Sequence, residues 1–289
     1  MRRYAFIYNP AARNGRSQST ANQLEEKLSE LDHAQLFRSE AKGDIAFLVE
    51  DLVNDYDIFI ACGGDGTVQE VASALIGTDK IMGIIPMGTG NDLCKTLGIP
   101  TDLNDAFEVI KKGQSKTIDV GQCNEDVFLN SLGFGFDGLT NSFALELKQW
   151  PSIFRYVIGA LRATISHKPF KVKISTEDDT YYQKLIMITL ANGRVEGGSF
   201  WVAPEADISD GKLEMVIIKP IQKWLIPFLL IFFLIKKPGW IPHVTIKKVP
   251  GVTLSFNKTP EMHADGEIIT SQENSFSISL IPNGLEVLI

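Results

Sequence analysis

Ile58-Phe-Ile-Ala-Cys-Gly63-Gly-Asp-Gly-Thr67-Val-Gln-Glu70 is the stretch on which the fold turns. A short apolar run, the pattern of a strand covered on both faces, leads into three glycines and one carboxylate, and a helical pattern follows. Glycine lets the backbone turn sharply and come close to a ligand. The helix N-terminus behind it offers free N–H groups and partial positive charge, which suit phosphate. A carboxylate there meets phosphate unfavourably unless a cation lies between them, so Asp65 is a candidate for work linked to Mg²⁺. The plainer alternative is a tight strand-to-helix turn with Asp65 as a helix cap.

A second loop repeats the pattern. Ile84-Ile-Pro86-Met-Gly88-Thr-Gly90-Asn-Asp92-Leu93 again runs strand, glycine turn, polar pair, helix. In open α/β sheets, ligands bind beyond the carboxyl ends of the strands. Two such strand ends, each with glycines and an Asp, describe a nucleotide pocket better than two unrelated turns. A third loop, Tyr8-Asn9-Pro10-Ala11-Ala12-Arg13-Asn14-Gly15, is weaker evidence by itself. Around these loops strands and helices alternate: strands at 4–8, 58–62 and 81–85, helices at 24–31, 44–53, 67–76, 91–97 and 103–112. That order predicts a parallel sheet with helices on its faces.

Beyond about residue 125 the pattern changes. Strands are expected at 117–120 and 127–132, and helices at 139–148 and 153–166. Then comes a β-rich series at 170–175, 181–190, 213–218, 244–248, 252–256, 276–280 and 285–288. The expected organisation is an α/β nucleotide-binding domain over 1–125, to which the last strands, about 282–289, can return, and a β-rich domain over 126–281.

The 289 residues carry 28 Lys and Arg against 35 Asp and Glu, a net charge of −7, which argues against a general nucleic-acid binder. The charge is uneven. From Gly211 to Pro260 there are eight Lys and one acid, so this segment is +7 and the remainder −14. Within it lies Trp224-Leu-Ile-Pro-Phe-Leu-Leu-Ile-Phe-Phe-Leu-Ile235. A helix of that size spans about 18 Å, short of the roughly 20 residues a bilayer needs. It is either a helix buried against a sheet or one resting in a membrane interface, flanked by Trp240 and lysines. Phe228, Phe232 and Phe233 are the residues that would test the second reading.

Several signals are missing. There is no G-x-x-x-x-G-K-[ST] and no G-x-S-x-G. The one G-x-G-x-x-G, Gly133 to Gly138, comes too late for a first strand–helix unit. The four His (33, 167, 243, 263) and three Cys (62, 94, 123) show no metal spacing, and the scattered cysteines suit a reducing compartment. The start, Met1-Arg2-Arg3 leading straight into a strand, does not read as a signal peptide.

Gly63-Gly-Asp-Gly-Thr67 followed by Gly88-Thr-Gly-Asn-Asp92 resembles the catalytic domain of the diacylglycerol kinase and sphingosine kinase superfamily, and the whole chain resembles its small bacterial members. The Asn9-Pro10 start, Asn91 to Pro100, Ile118-Asp-Val-Gly121, Phe128 to Asp137, Asn192 to Gly198, Ala203 to Ala206, Asp210-Gly211 and Asp265-Gly-Glu267 all fit, in order. The glycine motif alone is shared with NAD kinases and phosphofructokinases; the ordered set is specific. Two departures are mild: Gly197-Gly198-Ser199 stands where many relatives have three glycines, and Lys95 replaces a common Arg.

The resemblance implies a two-domain lipid kinase: an α/β unit of the NAD kinase/phosphofructokinase type plus a β-sandwich. By resemblance, Asn9, Pro10, Ala11, Ala12, Arg13, Ser39, Gly63, Gly64, Asp65, Gly66, Thr67, Val68, Gln69, Gly88, Thr89, Gly90 and Asn91 form the ATP site. Asp65 and Asp92 hold the catalytic Mg²⁺ network, and Glu267 with Asp265 supplies the general base, Asp265 orienting it or binding metal. Asp207, Asp210 and the Lys212 carbonyl form a structural metal site, the alternative being a simple hairpin turn. The expected reaction is phosphoryl transfer from ATP to a membrane-lipid hydroxyl, diacylglycerol giving phosphatidic acid being the favoured case. Other lipid alcohols (phosphatidylglycerol, a sphingoid base), NAD, and a non-catalytic membrane-binding role are the alternatives. The expected setting is the cytoplasmic face of a membrane, with peripheral contact through 224–240, no nucleic acid, and a possible homodimer.

Overall fold

A computed structural model describes residues 2–11, 17–41, 43–147 and 149–289 of the chain. It divides into two compact units, residues 1–118 with 283–289, and residues 119–282.

In the first unit, β1 (Tyr4–Tyr8), α1 (Ser17–Leu28), β2 (Ala34–Arg38), α2 (Ile45–Leu52), β3 (Ile58–Gly63), α3 (Asp65–Leu75), β4 (Ile81–Pro86), α4 (Asp92–Leu97) and α5 (Leu103–Lys112) follow one another. The strands lie in the order β2-β1-β3-β4, all parallel, with Tyr8 opposite Cys62 and Cys62 opposite Ile85. Strands β3 and β4 are buried at every position, because helices cover both faces of a parallel sheet. Phe6, Tyr8, Leu24, Ile60, Phe107 and Ile110 form the core on one of those faces. Sequence order reverses between β1 and β3, so the switch point falls there, and Asn9 and Gly63 stand at the carboxyl ends on either side of it. Half-buried β2 has no clean alternation and was not expected from the sequence.

The second unit begins within β5 (Ser115–Cys123), which forms a hairpin with β6 (Asp126–Phe128). Then come β7 (Ser131–Gly135), α6 (Phe136–Leu145), α7 (Ser152–Ser166), β8 (Phe170–Ser175), β9 (Thr180–Leu185), β10 (Met187–Ala191), β11 (Leu213–Ile218), α8 (Ile226–Leu234), β12 (Val244–Val249), β13 (Val252–Phe256), β14 (Met262–Ala264), β15 (Glu267–Ile269) and β16 (Ser275–Leu288). One antiparallel sheet has the order β12-β11-β10-β7-β14-β15, and the start of β16 pairs with β13, β13 with β8, and β8 with β9. The two layers enclose Leu132, Phe134, Ile188, Leu190, Leu213, Met215, Val172, Ile174, Leu254 and Phe276, the core of a sandwich. The alternate residues of the six-stranded sheet face the other way, where Ala160, Ala163, Met187, Val216, Ile226, Leu229 and Phe233 pack a helical layer onto it.

Three expected elements change. The run expected as one strand over 181–190 breaks at Ile186, and β9 and β10 belong to different sheets. Residues 127–132 divide between β6 and β7. The separate strands expected at 276–280 and 285–288 are one strand of 14 residues, β16. An unbroken apolar run carries no signal for where a strand changes partners.

Candidate active site

The first unit carries one constellation and the second carries three. In the first, the carboxyl ends of four adjacent parallel strands supply the groups. The Asn9 N–H donates to the Cys62 carbonyl at 3.1 Å, its Nδ2 donates to Thr67 Oγ1 at 3.0 Å, and its Oδ1 accepts from the Ala11 N–H at 2.9 Å. The Ser39 N–H donates to the Tyr8 carbonyl at 3.0 Å, which places Ser39, buried, beyond β2. Pro10 sits in the turn beside Asn9; Ala12 and Arg13 lie outside the described residues.

The two glycine loops are built against each other. A Cβ on Gly88 would stand 2.7 Å from the Gly64 Cα, so the loops touch main chain to main chain. The Met87 N–H donates to the Gly63 carbonyl at 2.7 Å. Asp65 spans the gap, Oδ2 accepting from the Asn91 N–H at 2.9 Å and Oδ1 from the Asp92 N–H at 2.7 Å. Asn91 has a left-handed backbone (φ 52°) and closes its own turn, Oδ1 accepting from the Gly88 N–H at 3.0 Å. Lys95 Nζ donates to the Gly90 carbonyl at 2.7 Å. Gly90 lies against the carboxylates of both Asp65 and Asp92. Beside them Cys94 is pushed up to about 12, first by burial and then by these two acids, so its thiol stays protonated.

Gly64 caps α3 without any side-chain acceptor for its first turn. Gly66 and Gln69 are half-buried and Thr89 is exposed, whereas the Val68 side chain points into the core and can offer a ligand only its main chain. A glycine cradle at a bare helix N-terminus fits a polyphosphate. Asp65 and Asp92 are oxygen donors of the kind Mg²⁺ takes, and each Asp65 oxygen keeps a lone pair beyond its amide contact.

In the second unit, Asp265 and Gly266 form a two-residue turn between β14 and β15, both with positive φ (49° and 83°), the backbone of a type I′ hairpin. The Asp265 carboxylate accepts three amides, Leu129 at 2.7 Å, Asn130 at 2.8 Å and Ser131 at 2.9 Å. Its oxygens are thereby committed to anchoring the turn. Glu267 follows, exposed at the start of the short edge strand β15.

Beneath that hairpin lies a cluster that the sequence did not disclose. Asp137, Glu196 and His263 are buried, with one donor atom of each within 4.8 Å of the others. Thr189 Oγ1 donates to Asp137 Oδ2 at 2.7 Å, and His263 Nε2 lies 3.1 Å from the same oxygen. Burial alone would raise Asp137, but His263 and the Thr189 hydroxyl hold it below the usual carboxylate range. Burial and the adjacent Asp137 push Glu196 well above it, which favours its protonated form. Asp137, Thr140 and Glu196 are polar groups in an otherwise apolar cleft walled by Phe136, Tyr156, Ile186, Phe200, Leu229 and Phe233.

The third expected set forms a turn. Asp207 Oδ1 accepts from the Ser209 N–H and hydroxyl at 3.1 and 2.8 Å. Asp210 Oδ1 accepts from the Lys212 N–H at 3.0 Å and its Oδ2 pairs with Lys248 Nζ at 2.6 Å. Asp119, not singled out as a site residue, ties β5 to this turn by accepting from the Gly211 N–H at 2.8 Å. The oxygen-rich turn suits a hard cation, but a cation on Asp210 has to compete with Lys248.

The apolar segment around α8 divides into buried and exposed residues. Ile226, Leu229 and Phe233 are buried, whereas Trp224, Phe228, Ile231, Ile235 and Trp240 are exposed. Helix α7 adds an exposed stripe of Phe154, Leu161 and Ile165, and Lys223 Nζ donates to the Ile165 carbonyl at 2.6 Å, where the two helices meet. Among the described residues no helix is long and apolar enough to cross a membrane.

Comparison with known proteins agrees with this layout. Residues 3–123 match the diacylglycerol kinase catalytic domain, and residues 130–289 match the YegS C-terminal NAD kinase beta sandwich-like domain. The "Probable lipid kinase YegS-like" of Klebsiella pneumoniae (strain 342) is 34% identical over 84% of this chain and 82% of its own length. The chain belongs to the diacylglycerol kinase and YegS-like lipid kinase family. The diacylglycerol kinase of Bacillus subtilis (strain 168) is 27% identical over 92% of this chain and 90% of its own. A solved diacylglycerol kinase from Bacillus anthracis str. Sterne has the same fold, with a TM-score of 0.78, 21% identity and coverage of 99% and 96% of the two chains. As a member of this lipid kinase family, the chain is a kinase that transfers phosphate to an alcohol, and the family implies ATP as donor.

Proposed function

We propose that the chain phosphorylates the free hydroxyl of diacylglycerol at a bilayer surface, with ATP and Mg²⁺, giving phosphatidic acid. The observation that carries this reading is the apolar lining of the cleft in the unit that presents Glu267. Its aromatic and aliphatic walls suit acyl chains, and its few polar groups suit a glycerol backbone. The relative named diacylglycerol kinase, similar along 92% of this chain, supports the same acceptor.

In this reading the glycine loops and Asn9, Ser39, Thr67 and Gln69 bind the nucleotide phosphates and ribose. Mg²⁺, held by Asp65 and Asp92, would neutralise charge on the phosphates. Glu267 accepts the proton as the acceptor oxygen bonds to the γ-phosphorus and the bond to ADP breaks. Asp265 fixes the turn that presents Glu267. Asp207, Asp210 and the Lys212 carbonyl are proposed to hold a second, structural cation.

The exposed faces of α7 and α8 are proposed as the docking surface. Lys223, Lys236 and Lys237 border them and favour anionic headgroups.

The test is transfer of labelled γ-phosphate into mixed micelles of diacylglycerol, phosphatidylglycerol, sphingosine or no lipid, with NAD in parallel and Glu267→Ala as control. Label in diacylglycerol that disappears in the variant is expected. Label in another acceptor, or an undiminished Glu267→Ala, would overturn the acceptor or the base.

A further inference from the structure

Gly133, Thr189 and His263 stand side by side across three neighbouring strands: Thr189 of β10 and His263 of β14 both pair with Gly133 of β7. All three belong to the helix-covered face of that sheet, where Asp137 enters from the first turn of α6. A Cβ on Gly133 would collide with both Asp137 Oδ2 and His263 Nε2. The φ of Gly133 is unexceptional, so this glycine serves by its missing side chain: it opens the space in which acid and imidazole meet.

The far nitrogen of that imidazole points at the hairpin. His263 Nδ1 accepts from the Gly266 N–H at 3.2 Å, and Gly266 immediately precedes Glu267. A nitrogen that accepts an amide proton carries none of its own, so the ring proton sits on Nε2, facing Asp137. Burial works against a second proton on the ring, but the neighbouring carboxylates, Asp137 first, outweigh it and draw the imidazole up to about 9; that proton would have to displace the Gly266 N–H from Nδ1, so it is the 3.2 Å amide contact that selects the Nε2–H form. A metal ion on Nε2 is excluded on the same ground, because it would require the ring proton on Nδ1.

We propose that His263 is a positioning residue for Glu267: held in its Nε2–H form by Asp137, it fixes the Gly266 amide and so the direction in which the hairpin presents Glu267. The inference rests on the reading of Glu267 as the group that takes the acceptor's proton. The need for an anchor follows from topology. Strand β15 has three residues, lies at the sheet edge and, among the described residues, pairs only with β14. Asp265, on three amides, holds one side of the turn, and His263 holds the other.

Two substitutions separate this role from mere filling of the core. His263→Asn puts an amide oxygen where Nδ1 lies and keeps an acceptor for Gly266, losing Asp137. His263→Gln reaches the Nε2 position and keeps a partner for Asp137, losing Gly266. Turnover with ATP, Mg²⁺ and diacylglycerol in mixed micelles is expected to fall about 10²-fold in His263→Gln, with KM for ATP unchanged, and to be largely restored in His263→Asn, since a catalytic group misplaced by about 1 Å costs that much. Equal losses in the two variants, a larger loss in His263→Asn, or no loss in either overturns the proposal. Nitrogen NMR of the full-length protein reads the tautomer without any assay: a bare Nδ1 and a protonated Nε2 are expected, and a protonated Nδ1 overturns it. Glu267→Gln at full turnover would instead overturn the reading of Glu267, with the nitrogen spectrum still deciding the Gly266 bond.

Discussion

Asp65, on the first glycine loop, accepts the N–H of Asp92, on the second, at 2.7 Å, while its other oxygen takes the N–H of Asn91 at 2.9 Å. The residue that sequence suggested for metal duty is therefore also the clasp between the loops and the cap of α4. Asp65→Asn leaves one amide N–H facing an NH₂ group. The expected result is a loss of about 1–3 kcal/mol of stability without any ligand, because a partly buried donor loses its acceptor. Thermal unfolding of the nucleotide-free protein checks it; an unchanged melting temperature would leave Asp65 a purely metal-linked role.

Gly88→Ala places a methyl group 2.7 Å from the Gly64 Cα, and main chain cannot step aside as a side-chain tip can. Overpacking of about 1–3 kcal/mol is expected, together with weakened ATP binding, because the loops must part. ATP titration by calorimetry reads the second effect. Gly239→Ala, with nothing within 4 Å, is the matched control and should change neither.

Burial and Asp137 raise Glu196 in the folded protein, whereas in the unfolded chain it ionises near pH 4.5. Folding therefore takes up a proton above that pH, and the stability of the parent protein falls as pH rises from there toward the folded value. Glu196→Gln removes this term. The melting-temperature gap in favour of the variant should widen as pH rises above about 4.5; a gap that stays constant would mean Glu196 ionises alike in both states.

The faces of α8 should separate cleanly. Phe228 and Ile231 are 56% and 52% exposed, and Phe233 is 5% exposed. Phe228→Ala with Ile231→Ala should shift stability by no more than about 0.5 kcal/mol per site while reducing sedimentation with anionic phospholipid vesicles. Phe233→Ala should cost about 3–5 kcal/mol. Phe233, expected from sequence to report on docking, thus reports on folding, and unchanged vesicle binding by the double variant would remove α8 from the docking surface.

The glycine loops were readable because their message is local: strand, glycines, acid and helix start occupy a dozen consecutive residues. The parallel sheet followed from unbroken apolar strands between amphipathic helices. The buried cluster could not be read that way. Gly133, Asp137, Thr189, Glu196 and His263 meet only through the register of β7 with β10 and β14, and four scattered histidines give no spacing to recognise. Helix α8 was ambiguous for a different reason: every position is apolar, so no periodicity separated the buried face from the exposed one. The α7 stripe of Phe154, Leu161 and Ile165 went unnoticed because apolar residues also fill the helix's packed face.

Glu286 and Val287 of β16 pair with Ile81 and Met82 of β4, and Leu288 is fully buried among Tyr8, Ile60 and Ile110. The nucleotide-binding sheet thus receives its fifth strand from residues that leave the ribosome after the 164 residues of the other unit. At about 5–20 residues per second, β4 waits on the order of 10 to 40 seconds with its hydrogen-bonding edge bare. During that interval the nascent protein holds its phosphate loops but offers a sticky strand edge to any neighbour. Arrival of β16, rather than synthesis of the loops, is then the moment at which this sheet edge becomes safe from aggregation.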